Sequence, residues 1–130
     1  TEDVTFVSDA NASNSITFTI NGTTGSTSGT WTLKDGEGTT LDTQTVDLSA
    51  SSSVKFYFDT NDFTVPAGET KKLKVYGDTS DFTTGGENIQ LSLEANDADI
   101  NWSIDGSGEY NKGDIIFKGG LNGPNFVNPS

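Results

Sequence analysis

The sequence predicts an all-β chain, an antiparallel β-sandwich of immunoglobulin-like or jelly-roll type with seven to nine short strands. Three observations carry this. Apolar residues recur with period two, the signature of strands with one buried face. Gly, Asn, Asp and Pro interrupt these runs at short intervals, as turns do. No stretch shows the 3.6-residue period of an amphipathic helix.

The strands follow in order. "DVTFV" (Asp3–Val7) is a short first strand. "SITFTIN" (Ser15–Asn21) sets Ile16, Phe18 and Ile20 against Thr17 and Thr19. "GTWTLKD" (Gly29–Asp35) turns Trp31 and Leu33 inward. "SVKFYFD" (Ser53–Asp59) turns Val54, Phe56 and Phe58 inward and Lys55 and Tyr57 outward. "KKLKVYG" (Lys71–Gly77) places Leu73 and Val75 inward, with Lys72, Lys74 and Tyr76 outward. "NIQLSLE" (Asn88–Glu94) offers Ile89, Leu91 and Leu93, and "DINWSID" (Asp99–Asp105) offers Ile100, Trp102 and Ile104. "DIIFK" (Asp114–Lys118) is a short last strand. Phe6, Ile16, Phe18, Trp31, Phe56, Phe58, Leu73, Val75, Leu91 and Trp102 should fill the space between two sheets.

Turn chemistry supports the same layout. "KDGEGT" (Lys34–Thr39) is a hairpin signal, because Asp-Gly supplies positive φ at low cost. "VPAGET" (Val65–Thr70) sets Pro at a turn start with Gly behind it. The low-complexity "GTTGSTSG" (Gly22–Gly29) reads as a mobile loop. Residues 1–118 form one domain on this reading, and "GGLNGPNFVNPS" (119–130) reads as a linker-like tail whose Phe126 and Val127 can dock on the body. The chain begins at Thr1, so it reads as a piece of a longer protein.

Composition narrows the function. The 130 residues hold neither Cys nor His, and the seven basic residues are all Lys. That removes thiolate chemistry, the commonest general base and the commonest transition-metal ligand. A net charge of −12 argues against nucleic acid and anionic membranes as partners. No segment reads as a signal peptide or a membrane span, so no direct membrane insertion is expected. A Thr-, Asn- and Asp-rich, Cys-free, acidic β pattern is common among bacterial surface proteins, which suggests an extracellular location.

The stretch "FTVPAGETKKLKVYGDTSD" (Phe63–Asp81), leading into "ENIQLSLEANDADINWSID", resembles a module of large bacterial cell-surface proteins, notably of small-genome candidate phyla. "GDIIFKGGLNG" followed by "VNP" fits the end of such a module. The resemblance covers roughly the C-terminal half. It implies a surface, stalk, S-layer-like or pilus-like β-domain that packs on copies of itself or on other surface proteins. It implies no catalytic residue.

The acids raise the question of calcium. In "LEANDADINWSID" (Leu93–Asp105), Asp97, Asp99 and Asn101 have the one-three-five spacing that opens an EF-hand loop. The sixth position is Trp102 and the twelfth is Gly108, so the loop is not an EF-hand. Asp97 and Asp99 with Asp78 and Asp81, or with Glu109 and Asp114, can still form a Ca²⁺ set drawn from separate loops. The alternative is that these aspartates cap their own turns. Paired carboxylates for glycoside hydrolysis need a cleft between them, and a small sandwich without His, Cys or Arg is expected not to be an enzyme. Outward Tyr57 and Tyr76, with Lys55, Lys72 and Lys74 beside them, would form a glycan- or protein-binding patch if their strands were neighbours. The alternative is cross-strand pairing that only stabilises the sheet. A Lys–Asn or Lys–Asp cross-link is a further option that no motif locates. The Asn-X-Ser/Thr sequons at Asn11, Asn21 and Asn101 carry no meaning in a bacterial protein.

The expectation is therefore a non-catalytic structural or adhesive surface module. The alternative is a carbohydrate-binding module, stabilised by calcium or not.

Overall fold

A computed structural model describes residues 3–8, 14–23, 29–48, 53–94, 100–102 and 120–129. The described residues are all β, with eleven short strands where seven to nine were expected: β1 (Val4–Phe6), β2 (Ser15–Thr23), β3 (Gly29–Asp35), β4 (Thr40–Val46), β5 (Ser53–Phe56), β6 (Phe63–Val65), β7 (Leu73–Gly77), β8 (Asn88–Leu93), β9 (Ile100–Asn101), β10 (Leu121–Asn122) and β11 (Phe126–Val127). Every pairing is antiparallel. The large sheet runs β10–β8–β2–β5, with β11 also on β8 and β9 also on β2. The second runs β4–β3–β7, and β1 pairs with β6 in a third.

Alternation explains the large sheet and the β3–β7 pair. In β3 the pattern holds: Trp31 and Leu33 are buried, and Thr30 between them and Gly29 is exposed. In β5, Val54 and Phe56 are buried while Ser53 and Lys55 are exposed. Ile16, Val54, Phe56, Ile89, Trp31, Leu33 and Leu41 belong to one apolar core, with Phe18, Leu73, Val75 and Leu91 half-buried against it. Each such side chain removed from water contributes about 1.5–3 kcal/mol before the cost of ordering.

Four strands lie outside the expected set, each for a physical reason. β4 has little apolar pattern because a bulge turns two neighbours to the same side. Leu33 pairs with Asp42 and Lys34 with Thr40, so Leu41 is an extra residue. Leu41 and Asp42 are both fully buried as a result. β6 has only three residues, and β1 pairs with it from Val4↔Val65 to Phe6↔Phe63. β10 and β11 lie in the segment read as a linker. They follow one edge of β8, and the register shifts by one residue between Asn122↔Ser92 and Phe126↔Ile89. Gly123 and Pro124 occupy that shift, where an edge strand tolerates Pro. Gly22 and Thr23, read as part of a mobile loop, instead end β2 opposite Ile89 and Asn88. Gly22 has φ 148°, and a Cβ there would meet the Asn88 and Ile89 backbone.

Turn readings fare well. Asp35 Oδ1 accepts from the Glu37 and Thr39 amides, closing the β3–β4 hairpin. The positive φ falls on Gly38 rather than Gly36. In "VPAGET", Glu69 N–H donates to Pro66 O at 3.0 Å, and Gly68 has φ 77°.

One end of the inter-sheet space is closed by aromatics. Phe58 stacks on Phe6 of β1 at 4.9 Å and on Phe63 of β6 at 6.2 Å. Phe58 is fully buried, as expected, but not by continued alternation. β5 ends at Phe56, and Phe58 turns inward at φ 54°. A bulky residue in the left-handed region is strained and persists only where its surroundings hold it.

Candidate functional site

The lysines and tyrosines are brought together in two pairs. Lys55 Nζ lies 5.3 Å from the Tyr57 ring centroid, and Lys34 Nζ lies 5.3 Å from that of Tyr76. Both are within cation–π range. Tyr57 follows β5 in the large sheet, whereas Tyr76 is on β7 at the edge of the three-stranded sheet. β5 and β7 are not neighbours, so the patch expected from Tyr57, Tyr76, Lys55 and Lys74 is divided between two sheets.

The outer face of the three-stranded sheet is built by register. Thr30 lies opposite Thr45, Thr32 opposite both Thr43 and Tyr76, and Lys34 opposite both Thr40 and Lys74. These outward positions hold Thr, Lys and Tyr and no carboxylate. Tyr76 is 51% exposed, and Thr30, Thr43, Thr45 and Lys74 are exposed around it. Like charges directly opposite in a sheet destabilise it. Here Lys34 leans over Tyr76, and Lys74 Nζ reaches Gly36 O at 3.4 Å. Among the described residues the single ion pair is Lys71–Glu69 at 3.8 Å, so Lys34 and Lys74 face outward without a carboxylate.

Of the proposed calcium ligands, Asp97 and Asp99 lie outside the described residues, as do Glu109 and Asp114. Asp78 and Asp81 sit in the turn after β7. The Asp78 carboxylate accepts from the Ser80 amide at 2.9 Å, and that bond holds its carboxyl below the ordinary carboxylate value. Asp78 thus caps its own turn, the alternative role for such an acid. Asp81 is exposed one residue before buried Phe82. Among the described residues no group of three or more acidic side chains gathers closely enough to hold an ion.

A cleft of about 790 Å³ lies between the two sheets. Phe18, Leu91 and Leu93 line one wall, and Trp31, Leu73 and Val75 line the other. Its described lining is mainly apolar, with Leu121 and Phe126 of the tail segment on its rim. Trp31 lies over Gly77, its partner in the β3–β7 register, and a methyl at 77 would fall on the indole ring. Trp31 Nε1 is the one buried side-chain polar atom among the described residues with no hydrogen-bond partner. The other tryptophan is satisfied, since Trp102 Nε1 donates to Thr5 O at 2.9 Å.

Sequence reasoning did not foresee that buried Asp42 accepts three hydrogen bonds. Its Oδ1 accepts from the Thr43 amide at 2.6 Å. Its Oδ2 accepts from Gln44 Nε2 at 2.9 Å and from the Tyr57 amide at 2.7 Å. The neighbouring Asp42 carboxyl holds the Asp59 carboxyl above the ordinary carboxylate value. No residue pattern announces this, because Asp42 is turned inward by the bulge.

Comparison with protein-family models, with curated proteins and with solved structures finds no match to this chain.

Proposed function

We propose that this chain is a non-catalytic structural or adhesive β-sandwich of a bacterial surface protein. It presents the outer face of its β4–β3–β7 sheet to a copy of itself or to a neighbouring surface protein. The observation that carries the reading is the segregation of that face. A chain of net charge −12 keeps Thr30, Thr32, Lys34, Thr43, Thr45, Lys74 and Tyr76 on one three-stranded surface, with no carboxylate among these paired outward positions. Exposed aromatics such as Tyr76 are enriched where proteins meet. The bacterial surface setting rests on the composition and on the resemblance of Phe63–Asp81 and the stretch that follows it.

Sedimentation equilibrium over a wide concentration range tests this reading. At near-physiological salt, where repulsion between acidic copies is screened beyond about 8 Å, concentration-dependent association is expected. A strict monomer that also captures no surface protein of its source cell would oppose the reading. Exposed Tyr76 among threonine hydroxyls favours a second reading, a glycan-binding face. Glycan binding abolished by Tyr76→Ala would move the assignment there. Calcium is tested by thermal melts with the ion and with chelator, since a bound ion raises the midpoint by mass action.

A further inference from the structure

Phe18, Leu91 and Leu93 of the large sheet and Leu73 and Val75 of β7 face one another across the cleft of about 790 Å³. All of them are only half-buried. On the rim, Leu121 is 67% exposed and Phe126 is 40% exposed. Opposed apolar walls left open to water are unfavourable, and contiguous apolar surface of this kind marks a binding site. The volume falls in the range of about 300–1,000 Å³ that small-molecule sites occupy.

The polar lining narrows the kind of molecule that fits. Lys71 is the only charged residue of the described lining, in a chain of net charge −12. Its side chain is 39% exposed, so the ammonium stands at the mouth of the cleft. The Glu69 carboxylate lies 3.8 Å away, beyond hydrogen-bond distance, and an ammonium has three donors to give. Thr79 and Asn122 of the described lining are polar but carry no charge. The cleft thus pairs a long apolar interior with one cation at its entrance.

An added strand is a poor occupant. Among the described residues β7 is the outer strand of its sheet. Lys74 lies on it, and Lys71 and Lys72 directly precede it. Lysines on an edge strand discourage pairing with another chain.

We propose that the cleft binds a free long-chain carboxylate, with the apolar chain between the two sheets and the carboxylate on Lys71. The site is separate from the outer face of the β4–β3–β7 sheet, because Leu73 and Val75 alternate with outward Lys74 and Tyr76 on β7. The free acid, and not a bilayer, is the source, since a chain of net charge −12 is repelled by anionic lipid.

Dodecanoate below its micelle concentration is the probe. Equilibrium dialysis against the wild-type protein should show saturable one-to-one binding. Dodecanol, the same chain without the charge, should bind about fivefold more weakly, as the loss of a partly exposed ion pair implies. Lys71→Gln, at an exposed position outside any strand, should erase that difference while keeping the affinity for dodecanol. In the wild-type protein, amide shifts on adding dodecanoate should concentrate at Leu73, Val75, Leu91 and Leu93. Absence of saturable binding, equal affinity for acid and alcohol, or shifts confined to other residues would each overturn the proposal. So would binding to phosphatidylglycerol vesicles by a protein that takes up no free dodecanoate.

Discussion

The outer faces of the two sheets are dressed in similar polar residues and behave differently. On the large sheet the outward side chains bond to one another and to the backbone. Asn21 Nδ2 donates to Ser92 Oγ at 2.9 Å, Asn101 Nδ2 to Ser15 Oγ at 3.1 Å, and Gln90 Nε2 to Gly123 O at 2.8 Å. Ser15 and Ser92 are buried there despite facing away from the core. On the β4–β3–β7 sheet the threonines, Lys74 and Tyr76 stand exposed, and two lysines oppose each other in register. The first face spends its hydrogen bonds within the fold. The second keeps a like-charge pair, Lys34 opposite Lys74, that the fold does not need.

Four substitutions sharpen or break this contrast. The largest effect is expected beneath the presented face rather than on it. Gly77→Ala drives a methyl into the Trp31 ring and should cost about 1–3 kcal/mol, as overpacking does, read from the midpoint of urea unfolding. On the self-bonded face, Asn21→Ala removes the donor to buried Ser92 and should cost about 1 kcal/mol. A loss below experimental error would mean that face is no more integrated than the other. Lys74→Glu has the opposite sign. It replaces a like-charge pair with a Lys34–Glu pair and leaves Lys34 on Tyr76, so it should stabilise by about 0.2–1 kcal/mol. Thr45→Ala, exposed opposite Thr30, should change stability by no more than about 0.5 kcal/mol.

Much of this architecture was legible in the residues. Period-two alternation located β2, β3, β5, β7 and β8, because each places bulky apolar side chains on one face. β4 was not legible, since its inner positions are Asp42 and Gln44 with a bulged Leu41, and Val46 alone is an apolar residue in phase with them. The tail misled for a related reason. Gly, Asn and Pro suit a linker, yet they also suit a broken edge strand, and only the Asn122↔Ser92 and Phe126↔Ile89 pairings decide between them. Phe82 and Leu48 are core residues outside any strand, so periodicity cannot find them. For the candidate site, the outward direction of Lys55, Tyr57, Lys74 and Tyr76 was readable one residue at a time. Their grouping was not, because it depends on strand order. That order separates Tyr57 from Tyr76 and brings Lys34, an end-of-strand residue with no mark of its own, over Tyr76.

On the proposed function, association runs through the β4–β3–β7 face and not through the average charge of the molecule. Sedimentation velocity at near-physiological salt on the wild type, Lys74→Glu and Lys55→Glu separates the two. The two variants make the same change in net charge, one on the presented face and one on the large sheet. Lys74→Glu should sediment as a monomer at concentrations where the wild type and Lys55→Glu associate alike. Equal loss in both variants, or undiminished association of Lys74→Glu, would rule out the β4–β3–β7 face as the contact.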